Sequence, residues 1–462
     1  MVSADNVNLD VLEIIFSHLS GNDLASIALV SRSFFAGVIP RLYQTLLFRL
    51  SHAKRYPAVM SPFAAVSAHP EFAIHVRHVD IRTVPSVKSQ YNPKFLLECT
   101  RALDLCRNIT SFRCSVNALP PFIGALQKKD RLRDLRIYAN LTTDQALKMA
   151  KLDKIRHLTL DFASWNVMNL LPRWAGVLKD NLTTLTLFMA NELNETVLGA
   201  ALAELPNLLG LHVVGCAKVD HVAVLALVPH TPNLDSLSMS TGDTHRVLPL
   251  PSPSLPNLRH LALDHRPSPA PAPFPAAAPN ASTAVLVYLA AADPPPALTS
   301  FVLKSKSADL LRALVVQLTA AHAGTLRHLA FLDCAPSVPD AVAPLARACV
   351  ALERLEVAVP VRDLELFAAA LSPSRTLRTL IDAEAHSMHG PHPSLTGDGV
   401  RLLLGEVPSL RTVVSDGRKW TVSALSILLF TLRYFPLSFF NSTRFLFFNS
   451  TRFSFLFFIA FC

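Results

Sequence analysis

One pattern limits what this chain can become. L-x-x-L-x-L, with any aliphatic residue or Phe at the fixed positions, begins as VRHVDI at 76, ITSFRC at 109, LRDLRI at 132 and IRHLTL at 155. It continues as LTTLTL at 182, LLGLHV at 208, LDSLSM at 234, LRHLAL at 258 and LTSFVL at 298, then LRHLAF at 326, LERLEV at 352, LRTLID at 377 and LRTVVS at 410. The central steps are 23, 23, 27, 26, 26 and 24 residues. A unit that short cannot bury its own apolar side, so it must stack on its neighbours and share a core with them. The strict alternation at the centre of each motif predicts a short strand. Segments such as NETVLGAALAEL and VAVLALV predict helices between strands.

This period falls within that of leucine-rich repeats. The expected class is α/β over residues 74–415, a solenoid or horseshoe of short parallel strands with outer helices. Such repeats place Asn or Cys eight residues after the first Leu, facing the turning backbone. Here that position holds Asn117, Asn140, Cys216 and Cys334. A step of 40 separates 258 from 298, where HRPSPAPAPFPAAAPNAS intervenes. Proline cannot sustain a sheet ladder, so 265–296 is expected as a Pro/Ala-rich loop.

The N-terminus has a different texture. In LDVLEIIFSHLSGNDLASIALVSRSFFAGVIPRLYQTLLF, residues 9–48, roughly half the positions are apolar and they fall on more than one helical face. About forty residues cannot cover that much apolar surface alone. Three short helices are expected. Leu12, Ile15, Phe16 and Leu19 form the first stripe. Ser20 and Asp23 make a capping box before a second helix running to about Phe35, and Pro40 opens a third with Leu42, Tyr43, Leu46 and Leu47.

Ile15-Phe16-Ser17-His18-Leu19, Asp23-Leu24 and Val30-Ser31-Arg32-Ser33-Phe34, with Asp10 at the acidic position, resemble the F-box. Arg41-Leu42-Tyr43 resembles the third-helix segment of fungal members, while Val7-Asn8-Leu9 replaces the usual Leu-Pro. The chain is thus similar to fungal-type F-box proteins with C-terminal leucine-rich repeats. The resemblance implies an F-box over 6–50, a linker over 51–73, and a non-catalytic receptor subunit of an SCF, or cullin-RING, ubiquitin ligase. It further implies that Leu12, Ile15, Phe16, Leu19, Leu24, Val30 and Phe34 face the adaptor subunit, through which cullin is reached. The repeats would then hold an unknown protein target, with no cofactor. A leucine-rich-repeat scaffold outside any ligase, or a membrane-tethered interaction protein, are the alternatives.

In each repeat the third, fifth and seventh positions point away from the core because strand side chains alternate. Early units are richer there, with Arg113, Arg136, Tyr138, His157, Asp161, Phe188 and His212, than later ones, with Ser236, Ala262, Ala330 and Ala358. Arg and aromatic side chains dominate binding hot spots, so the early set is the candidate target surface.

Net charge is +9, but Arg418, Lys419, Arg433, Arg444 and Arg452 supply five of those charges after the last acid, Asp416. The remainder is no nucleic-acid signature. Seven scattered Cys without CxxC spacing, and no basic-then-apolar leader, point to the cytoplasm or nucleus. No P-loop, GxGxxG, GxSxG or HExxH motif occurs, and His386, His389 and His392 sit in a loop-like stretch beside Gly390 and Pro391. Residues 421–462 hold 12 of the 27 Phe, repeat FFNSTRF at 439 and 447, and fit two descriptions. One is non-coding sequence read through by a gene model; the other is a hydrophobic, membrane-associating tail, although its Arg residues cut the apolar runs to half a span.

Overall fold

A computed structural model describes residues 9–19, 21–242, 244, 246–266, 280–305, 308–334, 339–383 and 395–422. The capping-box serine Ser20, the three histidines 386, 389 and 392, the proline run 267–279 and the Phe-rich tail from 423 lie outside them. The chain divides into two compact units, one ending at Leu132 and the other starting at Arg133.

The first unit opens with helices α1 (Leu9–Phe16), α2 (Gly21–Ile27) and α3 (Arg32–Leu42). The second helix stops earlier than the sequence suggests, because the Ser31 hydroxyl accepts from the Phe34 amide at 3.2 Å and starts α3 there. Pro40 lies in the last turn of α3 instead of opening a helix, and Leu46 and Leu47 belong to the strand Thr45–Phe48. That strand pairs in parallel with His78–Ile81, which pairs with Ser111–Cys114. The repeat ladder therefore starts at 45, inside the expected F-box segment. The expected linker 51–73 holds helices Leu50–Ala53 and Pro62–Ala68 and the start of the turn Pro70–His75. A knot of aromatic rings explains why: Phe48, Phe63 and Phe95 are fully buried, with ring centroids of Phe48 and Phe95 4.3 Å apart.

In the second unit, parallel strands run in chain order from Asp134–Tyr138 to Thr412–Ser415, and Arg418–Thr421 closes them antiparallel. The middle Leu of each motif stacks on its neighbour in strict register: Leu135 on Leu158, then Leu185, Leu211, Leu237 and Leu261. The row continues through Phe301, Leu329, Leu355 and Leu380 to Val413. A slip of one residue would turn this whole row to the other face, so the pairing is strongly specified. Helices such as Trp165–Leu178, Glu195–Ala203 and Ala308–His322 connect the strands. This is the expected repeat architecture, a long parallel sheet backed by helices. Ala281–Ala290 is one of these helices, so only part of 265–296 can be loop; Asn280 accepts from the Ser282 amide and starts it.

Two ladders tie neighbouring repeats together. The residue before the first Leu reaches back to a carbonyl of the preceding unit: Asn181 donates to Asp153 O at 2.9 Å, Thr325 to Leu298 O at 2.8 Å and Ser409 to Ser374 O at 2.8 Å. The second ladder is a turn. Phe162, Met189, Gly215 and Asp333, each seven residues after a first Leu, have φ between +51° and +73°. That left-handed residue swings its successor inward, so Ala163, Ala190, Cys216 and Cys334 are buried. The thiols of Cys216 and Cys334 donate to Leu187 O and Leu332 O, each at 3.6 Å. Asn117 and Asn140 correct the expectation. Neither unit has the left-handed turn, and Ala118 and Ala139 are buried in their place while Asn117 and Asn140 are exposed.

Candidate functional site

The F-box helices sort their apolar residues into two sets. Leu12, Phe16, Leu24 and Val38 form the bundle's own core, with Leu19, Ile27, Ala28, Phe34 and Leu42 packed half-buried around it. The rings of Phe16 and Phe34 lie 5.6 Å apart. Gly37 lets α1 and α3 approach this closely: a Cβ there would stand 3.0 Å from the Phe16 ring. Arg41 fastens the same two helices by donating to Ser17 O at 2.6 Å.

The second set faces outward. On α1, Val11, Ile14 and Ile15 form a stripe at i, i+3, i+4, with Ile14 65% exposed. Leu29 at 88% and Val30 at 65% lie in the turn between α2 and α3, and Phe35 follows on α3. Of the seven residues singled out as adaptor-facing, Ile15 and Val30 are presented to solvent and Leu19 and Phe34 are half-covered. Leu12, Phe16 and Leu24 are enclosed by the bundle itself. Sequence reading missed Val11, Ile14, Leu29 and Phe35. The signal was the second apolar stripe of α1, one residue out of phase with the first.

The seven candidate target-facing residues do not form one group. Arg113 is half-buried in the first unit, in register with Asp80. The other six lie in the second. Arg136 donates from Nε to Asp161 Oδ2 at 2.8 Å and from Nη2 to Oδ1 at 3.4 Å, and both side chains are largely buried. Burial raises the Asp161 carboxyl above its ordinary range, against the pull of Arg136. His157 is exposed, 3.7 Å from Asp134.

Tyr138 and Phe188 flank Asp161 in register, and the ring of Phe162 lies between theirs. It stacks on Tyr138 at 5.2 Å and 22° and meets Phe188 edge-on at 6.0 Å. Phe162 follows its strand and was not among the candidates, because its left-handed turn is invisible in the sequence.

His212 shares a short 2.7 Å hydrogen bond with Ser238, and Gly210 leaves room for its ring. Desolvation lowers its pKa to about 4. Burial lowers His221 and His322 as well. In each case the folded chain favours neutral imidazole, so stability is intact above the unfolded value near 6.5 and is lost as pH falls below it. For His212 the loss reaches about 2 kcal/mol at pH 5 and is complete near pH 4. The thermal midpoint is expected to fall between pH 7.5 and 5, and His212→Gln to flatten that decline. A profile unchanged by His212→Gln would show that this ring is solvated.

The recurrent Arg-His pair is part of the repeat. Arg precedes His at 77–78, 156–157, 259–260 and 327–328, and Arg77 and Arg259 donate to Ile74 O and Pro256 O of their own turns, at 2.6 and 3.0 Å. Among the described residues no cluster of His, Cys, Asp or Glu could hold a metal ion. No described helix is long and apolar enough to cross a membrane.

Residues 5–36 match the F-box domain family, so the chain carries an F-box at its N-terminus. Along its length the chain is also similar to a chain in the crystal structure of the Rad7 and Elc1 complex from yeast. Identity there is 13%, coverage is 89% of this chain and 93% of that one, and the TM-score is 0.42.

Proposed function

We propose that this chain is the target-receptor subunit of an SCF-type ubiquitin ligase. Its F-box docks on the small adaptor subunit, which links it to cullin, and its repeats hold a protein target. The observation that carries this reading is the F-box match over helices whose outer apolar residues, Val11, Ile14, Ile15, Leu29 and Val30, are left exposed by the described residues. Single exposed apolar residues need no explanation, but this concentration on one small bundle marks an association surface. Such a receptor does no chemistry of its own. It raises the effective concentration of target lysines at the charged conjugating enzyme.

The test is co-expression of the full chain with an SCF adaptor, followed by size-exclusion chromatography. Co-elution as a stoichiometric complex is the expected result. Separate elution would return the chain to the class of scaffolds that use repeats without a ligase.

A further inference from the structure

The parallel ladder ends on a strand that runs the other way. Asp416 and Gly417, at φ +49° and +70°, make the two-residue turn that an Asp-Gly pair favours, and Arg418–Thr421 returns along Thr412–Ser415. Hydrogen bonding alternates along an antiparallel pair. Val422 donates to Arg411 O at 3.0 Å, and the register from there makes Trp420 with Val413, and Arg418 with Ser415, the bonded pairs. The N–H and C=O groups of Lys419 and Thr421 therefore point the other way, out of the edge of the sheet. Among the described residues no strand pairs with that edge, and Arg418, Lys419 and Thr421 are exposed.

An edge with free donors and acceptors is a template for one more strand. Its side chains restrict which strand. Arg418 and Lys419 have no ion-pair partner among the described residues, and Arg411, across from Val422, is exposed as well. Asp416, in the turn, is the only acid in residues 407–422. Opposite charges facing each other across paired strands are stabilising, and like charges are the reverse. A second copy of this strand is thereby disfavoured and an acidic strand favoured. Trp420, opposite the buried Val413, is half-buried, which leaves the two cations and Thr421 as the side chains the added strand meets.

We propose that the open edge of Arg418–Thr421 receives an extended, acidic segment of the target as an added strand, an inference that rests on the receptor reading above for calling its partner a target. The segment exchanges backbone hydrogen bonds with Lys419 and Thr421, and its carboxylates face Arg418 and Lys419.

The probe is a labelled heptapeptide, acetyl-Glu-Val-Glu-Thr-Glu-Val-Glu amide, titrated against the full chain by fluorescence anisotropy. One control carries Lys for each Glu. Another keeps the side chains but is N-methylated at its three central residues, so that they cannot donate along either edge. The Glu peptide is expected to bind at least about tenfold more tightly than either control. Thr421→Pro deletes an outward N–H where an edge strand tolerates proline, and is expected to weaken binding about fivefold or more with melting unchanged. Arg418→Glu with Lys419→Glu is expected to exchange the preference, so that the Lys peptide binds and the Glu peptide does not. No binding of the Glu peptide, equal affinity for the N-methylated one, or an unchanged preference in the double variant overturns the added strand. Failure of the unmodified chain to co-elute with the adaptor overturns the receptor reading instead, and the two failures are read from separate measurements.

Discussion

Ile15→Asp combined with Val30→Asp is expected to abolish capture of the adaptor while leaving the thermal midpoint of the chain within about 2 °C of the parent. Both side chains stand outside the bundle, 50% and 65% exposed, and neither belongs to its core. Surface substitutions of this kind change stability by about 0.5 kcal/mol or less. In a docked interface each carboxylate would be stranded against apolar groups, at about 2–3 kcal/mol apiece. Together that is on the order of a thousandfold or more in affinity. Phe16→Asp also removes binding, but by a different route. Its ring is 1% exposed in the bundle core, so the variant unfolds the three helices and loses helical signal as well. Measuring adaptor capture and melting on the same preparations separates the two routes. Normal capture by the double Asp variant would mean that the adaptor approaches some other face.

That distinction shows what the sequence could and could not reveal. The excess of apolar residues in 9–48 was legible as a surplus, because two stripes cannot both face the centre of three short helices. Which stripe faces inward was not legible, since Ile15 and Phe16 are adjacent in sequence and differ only in the angle set by the packing of α1 on α3. Gly37 and Phe16 decide that angle through one close contact. The repeats were easier. A Leu row that must stay in register across many strands imposes a period on the sequence itself, and the period survives insertions such as the one before 280. Backbone handedness left no such trace. Cys216 and Cys334 faced inward as the repeat pattern predicts, whereas Asn117 and Asn140 did not, because the deciding feature was a positive φ one residue earlier. The same feature hid Phe162, the central ring of the row. The strand at Thr45–Phe48 escaped the sequence reading for a related reason, since four residues are too few to announce a repeat.

The Arg136–Asp161 pair makes the second large effect. Arg136→Met is expected to destabilise the chain by about 3–5 kcal/mol, because it strands a buried carboxylate. For a unit of this size that lowers the thermal midpoint by on the order of 10 °C. The Arg136 and Asp161 side chains are only 15% and 5% exposed, and two hydrogen bonds of 2.8 and 3.4 Å join them. Yet burial already lifts the Asp161 carboxyl above its ordinary range despite that contact. A folded-state value above the unfolded one means the fold binds this proton more tightly, so the group's contribution is greatest in acid and declines as pH rises through the folded value. Removing Arg136 takes away the attraction and hydrogen bonding that oppose this shift, so the single variant should lose stability more steeply than the parent as pH rises above the ordinary carboxylate range. Arg136→Met with Asp161→Leu removes both charges together and is expected to recover to within about 1 kcal/mol of the parent, since apolar pairs of similar volume replace buried ion pairs with little loss. Urea melts of the parent, the single and the double variant at several pH values decide the matter. A single variant as stable as the parent would show that water reaches Asp161, and a double variant no better than the single would assign the loss to packing. If the double recovers, the pair adds little net stability of its own, and each charge is held in the fold chiefly by the presence of the other.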